Sequence, residues 1–593
     1  MFHLNTFLNL PLSFLHLKQI HCLLFTSPIF YTHRDLFLSR LLRRCTEFRY
    51  NRRLLCQIQS PSIQLWDSLV GHFSGGSSLN NRRLCFLAYV QLLRNGVFPS
   101  RHTFPPLLKA VSRSRDANPF QFHAHIGKLG FDSDLFVRNS LISCYSNSGL
   151  FDYGFRVFDG TEDKDVVSWT AMIDGFVRND NALEAMACFV EMKKTGIAAN
   201  EMTVVSVLSA ASKAEDVRFG RSIHGFYLET GRVMKCDVFI GSTLVDMYVK
   251  CGCYDDAQKV FDEMPNRNVV TWTSLIAGYV QGRCFEKGLS VFEEMLKSDV
   301  MPNVKTLSSV LSACAHLGAL HQGRRVHCYM IKNSIEINNT MGTTLIDLYA
   351  KCGFLEEAKL VFERLPEGNV YTWTAMINGL AAQGYAKDAF DLFQNMLKSH
   401  VLPNEVTFIA VLSACAHGGL VEEGKNLFMS MKERFNLEPN VDHYACMVDL
   451  LGRKGLLEEA KALIERMPME PTYAVWGALF GSCVIHKNYE LGKYAASRVI
   501  KLQPNHSGSY TLLANLHSEY RNWDEVARVR KQMKDKQMVK PPGFCLIEVK
   551  GKLHNFISFD HKKRHESDDL YKTLDNIGMQ MRFCHTNFED LIL

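Results

Sequence analysis

VVTWTSLIAGYVQGRCFEKGLSVFEEMLKSDVMPN, residues 269–303, decides the fold. It returns 101 positions on as VYTWTAMINGLAAQGYAKDAFDLFQNMLKSHVLPN at 370–404. The match runs further: LSACAHLGAL at 311–320 reappears as LSACAHGGL at 412–420. Within the unit, Trp272, Leu275, Ile276 and Tyr279 fall at i, i+3, i+4 and i+7, and Phe285, Leu289, Phe292 and Leu296 at i, i+4, i+7 and i+11. Each set puts its apolar side chains on one face of a helix. Gly282 separates the two helices, and Pro302 with Asn303 closes the unit. Neither helix is long enough to bury its stripe alone. Hairpin must stack on hairpin, which predicts an all-α solenoid.

This architecture answers the problem of length. A chain of 593 residues is too long for one core, but each hairpin packs only on its neighbours. A hydrophobic content of 47% with 22% charged residues is ordinary soluble composition. The net charge of +6 admits a polyanionic partner without demanding one. The 18 cysteines follow the repeat: Cys251 and Cys352 differ by 101, as do Cys314 and Cys415. They read as small buried hydrophobes in a reducing compartment. No CxxC occurs, so a zinc ribbon has no support, and no cofactor is expected. Residues 1–30 are interrupted by Pro11 and Lys18, too broken for a membrane span, so no membrane contact is expected. Residues 1–13 read as a short targeting leader, and the first acidic residue is Asp35.

Taken in order, 14–62 hold degenerate units. Full units follow at 63–100, 101–134 and 135–165, then in a cycle of three lengths at 166–200, 201–237, 238–268, 269–303, 304–338, 339–369, 370–404, 405–440 and 441–471. The pattern changes over 472–540 and again over 541–582, and 583–593 match nothing.

The words VVTWTSLIAGYVQ, TLIDLYAKCGFLEEAKLVFERLP and EVTFIAVLSACAHGGLVEEGKNLF, with the rotation of lengths, resemble the plant pentatricopeptide repeat proteins of the PLS type. Residues 472–540 resemble the two E motifs of that family. Residues 541–582 resemble its E+ extension, with Phe544-Cys545-Leu546 where the family usually has Cys-Ser-Trp. The resemblance implies a right-handed superhelix that reads single-stranded RNA, one base per unit, through the fifth and last residues of each unit.

Thr273 follows Trp272 by about 100° on the helix and so leaves the buried stripe. Asn303 stands at the entry to the next helix. The pairs Thr170/Asn200, Ser242/Asn268, Thr273/Asn303, Thr343/Asn369 and Thr374/Asn404 all join a hydroxyl to a carboxamide, whereas Asn139/Asp165 differs. Hydroxyl and carboxamide can each donate and accept, which suits adenine; Asp only accepts, which suits the N3–H of uracil. The code of the resembled family agrees. Val205 and Ser308, fifth residues of their units, follow it poorly. Units 135 to 404 then spell U-A-n-A-A-n-A-A. An Asn before a helix is equally a good N-cap. The second residues Phe136, Val167, Phe239, Val270 and Tyr371 are candidates to sandwich a base, or else to pack between units.

A nucleic-acid deaminase needs HxE and a paired CxxC for its zinc. His517-Ser518-Glu519 is the one HxE of the C-terminal region, followed only by lone Cys545 and Cys584, and it is read as structural. No catalytic constellation is recognised. The resemblance implies a site-recognition factor for organellar C-to-U editing, with a DYW-type deaminase protein in trans and multiple organellar RNA editing factor proteins as partners. Transcript stabilisation, splicing or translation is the first alternative, and a protein-binding scaffold the second. The resemblance implies the mitochondrion, with the chloroplast as alternative.

Overall fold

The structure, a computed structural model, describes residues 14–26, 34–45, 47–58, 62–76, 78–114, 117–229, 238–365, 368–538, 543–549 and 552–557. The leader at 1–13, most of the extension at 541–582 and the tail at 583–593 lie outside the described residues, as does Cys584. The described residues form thirty-one helices, from Phe14–Thr26 to Trp523–Asp535, and then two strands. The chain divides into two compact units, residues 1–278 and 279–593.

In the first unit the leading helices of successive hairpins form a continuous layer. Leu135–Asn147 packs on Val166–Arg178, which packs on Glu201–Lys213, which packs on Val238–Lys250. In the second, Val304–Leu317, Asn339–Lys351, Val370–Ala382, Glu405–Gly418, Val441–Arg453 and Tyr473–Ile485 do the same. Trailing helices such as Ala182–Lys194, Val217–Glu229, Leu320–Lys332 and Val421–Phe435 rest on their own leading helix and on the next one. Within each unit the leading helices of these layers are thus flanked by their neighbours. The spacing is close: a Cβ at Gly379 would stand 2.5 Å from that of Ala350 in the neighbouring helix.

The stripe Trp272, Leu275, Ile276 and Tyr279 is buried, as its spacing requires. Each such side chain contributes about 1.5–3 kcal/mol. The second stripe differs from expectation. Leu289 and Phe292 are buried, but Leu296 is exposed and Met295 takes its place, because the helix turns its core face one residue earlier. The break also moves. The first helix ends at Gln281, and Arg283, not Gly282, adopts the left-handed turn at φ 58°. Gly384 holds the matching place 101 residues on, at φ 84°.

The helical hairpins continue past 471 with Tyr473–Ile485, Tyr489–Leu502, Ser507–Glu519 and Trp523–Asp535. The last pair has a small core of its own, Tyr510, Ala514, Val526 and Val529. Beyond it the described residues hold two strands. Phe544–Val549 and Lys552–Ile557 pair antiparallel, Val549 opposite Lys552, a β-hairpin that the all-α reading did not anticipate. From this hairpin the Glu548 carboxylate accepts the N–H groups of His321 and Gln322 at 2.7 and 3.1 Å, at the start of the helix Leu320–Lys332.

Candidate nucleic-acid interface

Five leading helices, those after Asn200, Asn268, Asn303, Asn369 and Asn404, open on closely similar networks. Asn200, Asn303 and Asn404 are N-caps. Each Oδ1 accepts the N–H of the threonine three residues on and also its hydroxyl: Thr203 at 2.8 and 2.9 Å, Thr306 at 2.9 and 3.0 Å, Thr407 at 2.9 and 2.9 Å. Asn268 does the same with Thr271, at 2.9 and 3.0 Å. Asn369 accepts the N–H groups of Tyr371 and Thr372 at 3.1 and 3.0 Å. These donors fix the amide with its oxygen inward. The Nδ2 of each therefore faces outward, with no partner among the described residues. Cap and surface donor are two ends of one side chain.

The fifth residues are fixed in turn. Ser242, Thr170, Thr273, Thr343 and Thr374 each donate to the carbonyl four residues back, at 2.6, 2.7, 2.6, 2.8 and 2.7 Å. With the proton so used, the hydroxyl keeps its lone pairs, but Ser242, Thr273 and Thr374 are buried, so Thr273 does not leave the buried layer as its position on the helix predicts. The structure brings three of these residues to the next unit's capping threonine: Thr170 lies 2.7 Å from Thr203, Ser242 2.6 Å from Thr271, and Thr374 2.7 Å from Thr407. Ser242 also reaches Asn268 Oδ1 at 3.4 Å. Thr343 and Asn369 share no such bond among the described residues. The capping threonines were missed in the sequence, although the recurring Asn-x-x-Thr was there to be read.

Asn139 and Asp165 meet differently: Asn139 Nδ2 donates to Asp165 Oδ1 at 3.2 Å. Burial would raise the Asp165 pKa. Hydrogen bonds from the Ser168 N–H and hydroxyl, both at 2.8 Å, and from Asn139 outweigh it and hold the carboxyl below its usual range. This pair is an ionised acceptor where the others offer a donor.

Beside the network stand the second residues. Phe136, Val167, Phe239, Val270 and Tyr371 are 50–76% exposed. Phe136 also meets His102 of the preceding unit edge-on, with ring centroids 5.9 Å apart.

His517 is buried and bonded through Nδ1 to the Tyr489 hydroxyl at 3.0 Å. Burial lowers its pKa. Among the described residues no group of three or more His, Cys, Asp or Glu side chains is placed to hold a metal ion. Burial pushes the thiols of Cys314 and Cys415 up to about 12, which keeps them protonated and unreactive. Among the described residues no helix is long and apolar enough to cross a membrane.

Comparison with known proteins matches this geometry to a family. The PPR repeat family pattern fits residues 164–213, 267–316 and 368–417, and the PPR repeat pattern 136–166, 242–269, 343–370, 406–434 and 442–470. Over 586 residues the chain is 81% identical to the pentatricopeptide repeat-containing protein At1g50270 of Arabidopsis thaliana, covering 98% of each. The chain belongs to the pentatricopeptide repeat family. The E motif pattern fits residues 486–548, across the last helical hairpins and into the first strand. Another Arabidopsis pentatricopeptide repeat-containing protein, At2g22410, described as mitochondrial, is 37% identical over 96% of this chain and 88% of its own. A third, CRR2, described as chloroplastic, is 38% identical over 84% and 78%. The crystal structure of the maize pentatricopeptide repeat protein PPR10 superposes with a TM-score of 0.52 at 16% identity, over 88% of this chain and 86% of that one. The solenoid fold is therefore shared at low identity.

Proposed function

We propose that this pentatricopeptide repeat protein recognises a single-stranded organellar transcript and marks one cytidine in it for C-to-U editing. The observation that carries the reading is the fixed polarity of the paired side chains. An outward Asn Nδ2 donor beside a Ser or Thr lone pair complements N1 and the N6 amino group of adenine. The ionised Asp165 beside Asn139 complements the N3–H of uracil. The pairs Thr170/Asn200, Ser242/Asn268, Thr273/Asn303, Thr343/Asn369 and Thr374/Asn404 then read A, and Asn139/Asp165 reads U. The exposed row of Phe136, Val167, Phe239, Val270 and Tyr371 supplies faces on which bases stack.

The E motif after the array supports editing over other uses of bound RNA. The deamination itself belongs to a DYW-type deaminase protein in trans, with multiple organellar RNA editing factor proteins as companions. The compartment is the mitochondrion, with the chloroplast as alternative.

Two measurements test this. Purified protein should bind an RNA carrying U-A-n-A-A-n-A-A more tightly than one in which those A's are C; equal affinity refutes the base assignment. A loss-of-function line should lose editing at one or a few organellar cytidines, in the organelle that houses the protein. Normal editing with altered transcript ends or introns would instead assign the protein to transcript processing.

A further inference from the structure

In the first compact unit, the trailing helices Phe151–Asp159 and Ala182–Lys194 flank a cleft of about 1170 Å³. Its floor is aromatic: Phe151, Phe155, Phe158, Trp169 and Phe176. These rings lean on one another, Phe151 against Phe176 at 4.7 Å and Phe158 against Trp169 at 5.1 Å between centroids. The floor is not closed over: Phe155 is 44% exposed, and the buried Trp169 Nε1 has no hydrogen-bond partner.

The rim is acidic: Asp152, Asp159, Glu162, Asp163, Glu184 and Glu191. Among the described residues only Glu191 of these six has an ion-pair partner, Lys194 at 3.0 Å. The one cation in the lining, Lys164, is committed to the carbonyls of Thr161 and Asp159 at 2.7 and 3.4 Å and to the Phe158 ring. Arg156, on the neighbouring turn, lies over Tyr153.

The repeat alone does not produce this charge. At the same register one cycle on, Phe155, Glu162, Asp163 and Glu184 become Gln258, Pro265, Asn266 and Lys287. Phosphate is repelled by such a rim, so the cleft does not carry an RNA backbone even though Asp165 lies at its edge. It also exceeds the roughly 300–1,000 Å³ of a metabolite pocket.

We propose that this cleft docks a basic amphipathic helix of a partner protein. Aliphatic or aromatic anchors at i, i+3 or i+4 and i+7 would enter the aromatic floor, and flanking Lys or Arg would meet the rim. The charge complementarity selects this occupant over RNA and over an acidic peptide. One proposed base-reading residue, Asp165, also lines the cleft, and none of the substitutions below touches it.

The test uses full-length protein and two fluorescent helical peptides, one of Leu and Lys in amphipathic register and one with Glu for Lys. Wild type should bind the Lys peptide and not the Glu peptide. The triple variant E162K/D163K/E184K and, separately, F155A should each weaken the Lys peptide roughly tenfold or more. All substituted side chains are exposed, so circular dichroism and Tm should match wild type. Equal binding of both peptides, or variants that bind like wild type, overturns the proposal. So does self-association of wild type that the triple variant abolishes, which would assign the cleft to a second copy of the chain.

Discussion

Thr374 and Thr407 place their hydroxyl oxygens 2.7 Å apart across the seam between two repeats, so the first-turn hydroxyl of one unit rests on the capping hydroxyl of the next. Thr407 is fully buried, accepts the N–H of Asn404 at 3.3 Å and donates to Asn404 Oδ1. One hydroxyl thus orients both members of the Thr374/Asn404 pair.

Thr407→Val keeps the shape and removes the relay. It leaves the Asn404 N–H without its acceptor and should cost about 1–3 kcal/mol. Thermal unfolding should show a lower Tm, and Thr407→Ser should restore it. A valine variant as stable as wild type would mean the relay is only a packing contact.

Recoding tests the pair itself. Thr374→Asn with Asn404→Asp reproduces the Asn139/Asp165 arrangement, in which Asn donates to Asp at 3.2 Å. The double variant should prefer U over A at the matching position of an oligonucleotide, by roughly tenfold at about 1–3 kcal/mol per paired base. Unchanged preference for A would remove these residues from base reading.

Much of this was legible before any coordinates. The buried stripe from Trp272 to Tyr279 follows from spacing alone, because a helix hairpin has only one way to hide it. The sequence offers the Asn residues as caps or as base readers; the structure shows the caps, with Oδ1 serving the helix, and the free Nδ2 is what the proposed base reading would use. The recurring Asn-x-x-Thr is visible in the sequence, but the contact of its threonine with a hydroxyl of the preceding unit is not, because that needs the seam between two units. The strands Phe544–Val549 and Lys552–Ile557 were missed because the helical period of the preceding chain dominated the reading. The acidic cleft depends on side chains from two successive units, which periodicity within one unit cannot reveal.

Histidine–tyrosine bonds between successive units predict a pH dependence. His224 Nδ1 lies 2.9 Å from the Tyr248 hydroxyl and His327 Nδ1 2.9 Å from that of Tyr349. Burial lowers both histidine pKa values below 6.5, and it pushes the Tyr248 phenol up to about 12, so the phenol keeps its proton. Below pH 6.5 the unfolded chain takes up protons that the folded one refuses. Stability is therefore full above about pH 6.5 and falls as the pH drops toward the folded values. Tm should decline between neutral pH and mild acid, and His224→Gln with His327→Gln should flatten that decline. An identical slope in the double variant would place the acid sensitivity elsewhere.

The turn at Arg283 predicts a gain. Its φ of 58° lies in the left-handed region, which costs a side chain with a Cβ about 1–2 kcal/mol. The Arg283 backbone N–H donates to the Val280 carbonyl at 3.1 Å, a bond glycine would keep, and its side chain makes no hydrogen bond or ion pair among the described residues that would offset this. Gly384 holds the equivalent place without strain. Arg283→Gly should therefore raise stability by roughly 0.5–1 kcal/mol, the relief of strain exceeding the added freedom of the unfolded chain. Asp180 provides the comparison. It has the same strain at φ 60°, but its carboxylate pairs with Lys213 at 2.6 Å. That exposed pair contributes about 0–1 kcal/mol, so Asp180→Gly should gain less. Thermal melts of the two variants decide it: if Arg283→Gly is destabilising, or gains no more than Asp180→Gly, the left-handed turn is not where this repeat stores strain.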